Sequence, residues 1–225
     1  MAISYKLLKP GMVLPAKIHQ EIRLINAARK KDFPGYVENL KGLFGYKEQR
    51  PLTDQYKSFL AGFILGEGSI NVSAKKIKSR GSPQNGKQSS YLRLDLEFSV
   101  TQHANKASIL IDLCTLFNAG HIRHKKGSNA TLVFTISERR IIGERVLPFY
   151  ESYLSPYMTS ADKQRFSLFS NLYLYFQKKL NLNRKTFSEE MLPLWDALRQ
   201  QKGQKNESFP NLEAAQLYYK ASFKD

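Results

Sequence analysis

In the stretch FLAGFILGEGSINVS, residues 59–73, Glu67 stands between two glycines where an apolar helical run gives way to an alternating strand. A helix C-terminus already presents unpaired carbonyl oxygens and a partial negative charge. A carboxylate there is unfavourable unless a cation lies close by. Gly62 and Gly66 are four residues apart, so they share one helix face, with Ala61 and Leu65 beside them. A glycine inside a helix costs about 1 kcal/mol against alanine, and two at this spacing imply that another backbone approaches closely. That backbone is either another helix of the same chain or the same helix of a second subunit. In the second case a two-fold axis brings two Glu67 carboxylates together with nearby free carbonyls such as that of Gly66. Such an all-oxygen, anionic cluster suits a hard divalent cation, Mg²⁺ rather than Zn²⁺. The histidines, His19, His103, His121 and His124, are scattered and offer no zinc-ligand spacing.

The charge balance says what such a centre would act on. Among 225 residues, 35 are Lys or Arg and 19 are Asp or Glu, a net charge of +16. That excess attracts polyanions, nucleic acid first and an anionic membrane surface second. A ribosome-associated protein carries the same balance, so charge names a partner and no reaction. No stretch reaches the roughly 18 apolar residues of a membrane span, which predicts no membrane partner. The start, MAISYKLLKPGMVLP, has neither a signal-peptide apolar run nor a transit-peptide composition. Cys114, the one cysteine, sits in the apolar run ASILIDLCTLF and reads as a buried, inert thiol of a reduced, intracellular protein.

Several elements are needed to position Glu67. Residues 1–50 read as an N-terminal helical extension, AKIHQEIRLINAARKK and PGYVENLKGLFGYKE, split at Pro34-Gly35. The Glu67 helix starts near Thr53-Asp54 and runs through Leu65 or Gly66. SINVS and YLRLDLEFSVT then alternate apolar and polar residues, with a loop rich in Ser, Gly, Asn and Gln between them. ANKASILIDLCTLFNAG is helical. HIRHKK and ATLVFTI form a second hairpin about Gly127-Ser128-Asn129. Helices follow: ERRIIGERV, a short one led by Pro148, and SADKQRFSLFSNLYLYFQKK. The core, residues 51–180, is therefore an α+β, αββαββα arrangement: a four-stranded antiparallel sheet with helices on one face. A C-terminal helical extension covers residues 181–225. The free sheet face is basic. From Ser69 to Leu92 there are five cations and no acid, and the second hairpin adds three more. Two-stranded ribbons fit the DNA major groove. The candidate DNA contacts are Asn71, Lys75, Lys76, Arg80, Arg93, Arg123, Lys125, Lys126 and Asn129. A merely solvated face is the alternative.

LAGFILGEG, residues 60–68, resembles the signature of the LAGLIDADG homing endonucleases, with Glu67 at the position of the motif's metal-binding acid. Leu65 replaces an acid at the sixth position of the motif, which is not a metal ligand. FSVTQH, IRHKKGSNATLVFTI, LPFYE and FPNLEAAQ are similar to segments of the intron-encoded members found in chloroplast large-subunit ribosomal RNA genes. This likeness spans nearly the whole chain.

The resemblance implies a single-motif homodimer that grips a long, pseudo-palindromic double-stranded DNA site in a large-subunit rRNA gene. It would cut both strands across the central minor groove, leaving short 3′ overhangs, and would use no small-molecule substrate. Glu67 and the Gly66 carbonyl would hold Mg²⁺, with Mn²⁺ able to substitute and Ca²⁺ supporting binding but poor cutting. Gln102, Lys106 and Lys163 would act around the scissile phosphate, with Arg165 the rival to Lys163. Ala61, Gly62, Leu65 and Gly66 would form the dimer interface. The implied location is the organelle interior, the chloroplast first. Two other readings share the basic surface: an RNA maturase on the same fold, and a nucleic-acid-binding protein with a dead site. Intact Glu67 speaks against the dead site.

Overall fold

The structure, a computed structural model, describes residues 12–78, 90–201 and 208–222. Arg80 and most of the first hairpin's loop lie outside them. Strands β1 (Gly68–Lys78), β2 (Ser90–His103), β3 (His121–His124) and β4 (Thr131–Ile136) form one sheet in the order β1-β2-β4-β3. β2 and β4 run antiparallel with Phe98 opposite Ile136 and His103 opposite Thr131, and β3 pairs antiparallel with β4. The α+β order predicted from the pattern is the one found. Leu92, Leu94, Leu96, Phe98 and Val100 are all buried, as the alternation requires.

The chain divides into two compact units that cut across the three segments expected from sequence. The first joins the residues up to Ser69 with Phe98–Tyr157; the second joins Ile70–Glu97 with the residues from Met158 onward.

The first unit explains what the N-terminal residues do. Helices α1 (Ala16–Ala28) and α2 (Phe33–Phe44) are part of this unit rather than an appendage. β3 is an edge strand, and its outward backbone groups are an invitation to foreign pairing. The Ile122 N–H donates to Tyr36 Oη at 2.8 Å, and Asn26 Nδ2 donates to the Ile122 carbonyl at 2.8 Å. Arg29 donates to the Gly120 carbonyl at 3.0 Å. Two helices thus do the work of a fifth strand. Helix α4 (Ala107–Phe117) carries Asp112, fully buried, which accepts hydrogen bonds from Tyr46, Tyr56 and Arg50. That knot ties the linker after α2 to the helix that bears Glu67. Gly120 (φ 91°) separates α4 from β3, and a Cβ there would lie 2.4 Å from the Phe134 ring, so only glycine fits. Phe98, Phe117, Phe134, Phe149 and Tyr150 fill the core with edge-on and stacked rings. Cys114 is buried, and burial pushes its thiol pKa up, as an inert cysteine requires.

Residues 139–154 form one continuous helix, α5, and Pro148 does not start a separate one as the sequence suggested. It sits between two wider π turns, a geometry in which a helix accommodates a residue with no N–H to give. In the second unit, α6 (Ser160–Gln177) opens with a Thr159/Asp162 capping box and packs against α7 (residues 184–201), which in turn packs against α8 (Leu212–Ala221). Among the described residues no helix is long and apolar enough to cross a membrane.

The first unit should be acid-sensitive. Burial, with Arg29 and Arg123 adding repulsion, lowers the His121 pKa from 6.5 to about 4, and burial followed by His124 lowers that of His19. Between those two values the unfolded chain binds a proton at position 121 that the folded chain refuses, so stability falls as pH drops through that window. His121 alone should account for a loss on the order of 2 kcal/mol after allowance for its partial exposure. Urea midpoints measured from neutral pH downward should fall less steeply in His121→Gln; parallel curves would remove this explanation.

Candidate active site

Helix α3 (Asp54–Glu67) positions the carboxylate. The Thr53 hydroxyl caps its start by accepting from the Tyr56 N–H at 3.2 Å. Leu60, Ala61 and Ile64 bury its inner face. The helix ends where the Gly68 N–H bonds to the Ile64 carbonyl, and β1 begins at Gly68 with no intervening loop. A Cβ on Gly68 would stand 2.4 Å from the Ile64 oxygen, so the residue after Glu67 has to be glycine. Glu67 is exposed, and among the described residues it has no hydrogen-bond or ion-pair partner. A carboxylate at the negative end of a helix, with no internal cation, fits the hard-cation role expected of it. Gly66, also exposed, brings its carbonyl beside it. Among the described residues no cluster of three or more His, Cys, Asp or Glu could hold a metal.

The face expected to meet a partner is open on this protomer. A Cβ added to Gly62 or Gly66 would touch nothing within 4 Å. Phe59, one turn earlier on the same face, is 51% exposed, and Leu65 is half-buried. Ala61 has to be corrected: it is 0% exposed and packs into its own protomer, because it falls on the Leu60/Ile64 side of the helix. Phe59 replaces it as a candidate contact, and the i, i+3, i+7 spacing of Phe59, Gly62 and Gly66 could have found it.

Of the remaining candidates, Gln102 closes β2 opposite Leu132, and its Oε1 accepts from the His103 N–H at 2.7 Å. Lys106 is exposed at the N-cap position of α4. Both share the first unit with Glu67. Lys163 and its rival Arg165 do not: they belong to the second unit. The helix that directly follows the second hairpin is α5, and Lys163 stands on the next one, α6. Arg139, Arg140 and Arg145 are the cations α5 carries, Arg140 pairing with Glu144 and Arg145 holding the Phe117 and Asn118 carbonyls. Arg165 is 6% exposed and bonds to the Ile70 and Leu198 carbonyls, a structural role.

The hairpins differ in how much charge they leave uncompensated. Arg123, Lys125 and Lys126 are exposed, and among the described residues their head groups have no hydrogen bond or ion pair. Asn129 is exposed in the same turn, its carbonyl accepting from the Leu14 N–H. In the first hairpin Lys75 and Arg93 both pair with Asp95, at 3.0 and 2.7 Å. Burial alone would raise the Asp95 pKa, but the hydrogen bonds from Arg93 and Lys75 outweigh it and hold the carboxyl low. Lys76 is withdrawn from the DNA-facing set. Strand alternation puts it with Ile70, Val72 and Ala74, and its ammonium lies over the Phe209 and Tyr218 rings at 5.0 and 5.1 Å.

Residues 60–173, which take in the helix that ends at Glu67 and the four strands that follow it, match the family model of the LAGLIDADG endonucleases. The chain belongs to that family. It is 41% identical over 216 residues to the DNA endonuclease I-CeuI of Chlamydomonas moewusii, covering 95% of each chain. Its fold superposes on the group I intron-encoded homing endonuclease I-CeuI complexed with DNA with a TM-score of 0.84, covering 95% of this chain and 100% of that one at 40% identity. The archaeal intron-encoded homing endonuclease I-Vdi141I, complexed with DNA, shares the fold at 20% identity and a TM-score of 0.58 over 75% of this chain and 97% of that one.

Proposed function

We propose that this chain is a homodimeric, site-specific endonuclease of double-stranded DNA that serves intron homing. It cuts both strands of a long pseudo-palindromic site in a large-subunit rRNA gene and leaves short 3′ overhangs. The observation that carries the reading is the exposed, partnerless Glu67 at the end of a helix whose glycine face is open. The near full-length likeness to I-CeuI supports the substrate class. Pairing α3 with its symmetry mate gathers two Glu67 carboxylates and the Gly66 carbonyls into one anionic centre. When bound there, Mg²⁺ supplies Lewis-acid stabilisation of charge and a more acidic water. Gln102, Lys106 and Lys163 would order solvent at the scissile phosphate, while the hairpins fix the register of the duplex. Mn²⁺ should replace Mg²⁺, and Ca²⁺ should support binding with little cutting, because its looser coordination geometry positions the reacting oxygens less well. The organelle interior, the chloroplast first, is the location we infer.

Incubation with Mg²⁺ and a plasmid carrying an intronless large-subunit rRNA gene should give one double-strand break. A plasmid left intact across Mg²⁺ and Mn²⁺ concentrations sinks the reading. Binding should also depend steeply on salt. Each neutralised phosphate contributes about 0.9 to the log–log slope, and a basic dimer gripping about ten phosphates should lose several orders of magnitude in affinity over moderate salt. A slope of one or two would mean that the sheets do not track the backbone.

A further inference from the structure

A carboxylate stands among the cations of the first hairpin. Leu92, Leu94 and Leu96 are buried, so Arg93 and Asp95 lie on the opposite, open face of β2. Ile70, Val72 and Ala74 are buried, so Lys75 lies on that same face of β1. All three belong to the second unit. Arg93 Nε lies 2.7 Å from Asp95 Oδ1, and Nη2 donates to Oδ2 at 2.9 Å; Lys75 Nζ lies 3.0 Å from the same Oδ2. The Arg93 side chain is nonetheless 45% exposed, against 23% for Asp95. Tyr91, two residues earlier on this face, also interacts with the guanidinium, more weakly. Asn71, the other β1 candidate on this face, accepts with its amide oxygen from the buried Arg165 at 2.6 Å.

Stability alone does not account for the carboxylate. Exposed ion pairs contribute little to a fold, and a negative charge on a DNA-facing surface repels phosphates. What Asp95 does is fix a plane. A guanidinium carries five N–H groups in a rigid fork, and Asp95 occupies its Nε/Nη2 side. The end of the fork, Nη1 with the second Nη2 hydrogen, is not used by Asp95. Two donors side by side match O6 and N7 of guanine in the major groove, whereas adenine offers one acceptor and one donor there. The same carboxylate offsets the charge of Arg93, which makes it a poor grip on phosphate and leaves base reading as the use of its fork. Hydrogen bonds from Arg93 and Lys75 keep Asp95 ionised, so the hold stands at neutral pH.

We propose that Arg93 reads guanine at one base-pair position of the half-site, and that Asp95 is its positioning residue, holding the end of the fork toward the groove. This rests on the reading of the first hairpin as a DNA ribbon.

The test is selection by binding from a randomised duplex library in Ca²⁺, with full-length protein, beside salt titrations on an unrelated duplex. Wild type should favour guanine at one position by roughly five- to 150-fold, the range of a bidentate contact, and Arg93→Ala should level that position alone. Arg93→Lys keeps the charge without the fork and should lose the guanine preference too. Asp95 is partly exposed and its ion pairs are with two exposed side chains, so Asp95→Asn folds, keeping the shape and losing the charge. It should lower the guanine preference at that position at least about fivefold. Affinity for the unrelated duplex should rise, with a log–log salt slope steeper by about 0.9, because Arg93 is released to a phosphate. A merely structural role for Asp95 would instead lower affinity and blur all positions together. An Arg93→Ala profile identical to wild type, relaxation at a position where another base is favoured, or a guanine preference that survives Asp95→Asn overturns the proposal and leaves the endonuclease reading standing. If wild type selects no sequence at all, both go.

Discussion

Glu67→Gln should bind target DNA as well as wild type, or slightly better, and should cut it at least about a thousandfold more slowly, the several kcal/mol that metal-assisted charge stabilisation supplies. The substitution keeps the shape of an exposed side chain that has no partner among the described residues, so folding and the sheet are untouched. It removes the charge that a divalent cation needs. Two negative charges per dimer also leave the surface facing the duplex, which favours binding. Gel-shift titration in Ca²⁺ beside single-turnover cleavage in Mg²⁺ reads both arms. A mixed dimer with one wild-type and one Glu67→Gln subunit goes further. If each acid serves its own strand, half the activity survives as clean nicking; if the centre is shared across the two-fold axis, both cuts fall together. Wild-type cleavage by the doubly substituted dimer would falsify the assignment and reduce Glu67 to a residue at a helix end.

Much of this was legible because it is periodic. The 3.6-residue pattern of α3 and the alternation in β2 both follow from burying one face, and the structure follows them residue by residue. The misreadings came where period was ignored or absent. Lys75 and Lys76 were assigned to one surface, though adjacent strand residues face opposite ways. Ala61 was grouped with Gly62 by adjacency, though a helix turns 100° between them. Pro148 reads as a helix start, while π turns carry the helix straight past it. The capping of Ile122 by Tyr36 and Asn26 links residues 86 and 96 positions apart, which no local pattern encodes. The hold of Arg165 on Asn71, across 94 positions, is invisible for the same reason.

Gly62→Leu should turn a dimer into a well-folded monomer that neither cuts nor binds its site tightly. The protomer itself has room: a Cβ at Gly62 meets nothing within 4 Å, so the new side chain projects from an open helix face. Replacing a helical glycine should even stiffen α3, by about 0.8 kcal/mol or somewhat less on intrinsic propensity. The partner helix is another matter. Glycines four apart let two backbones close to a distance at which a leucine finds no space. Overpacking costs about 1–3 kcal/mol per site, and two-fold symmetry imposes it twice, so the dimer constant should weaken by about 2–6 kcal/mol. Phe59, exposed one turn away, would then face water in the monomer, and Phe59→Ser should restore solubility where aggregation obscures the result. Sedimentation velocity at matched concentrations separates the possibilities, with the thermal midpoint of the monomer reporting that the fold is intact. A soluble, unweakened Gly62→Leu dimer means that this glycine face meets no partner; the shared Glu67 centre would then have to be abandoned, since its two carboxylates would have no reason to lie together.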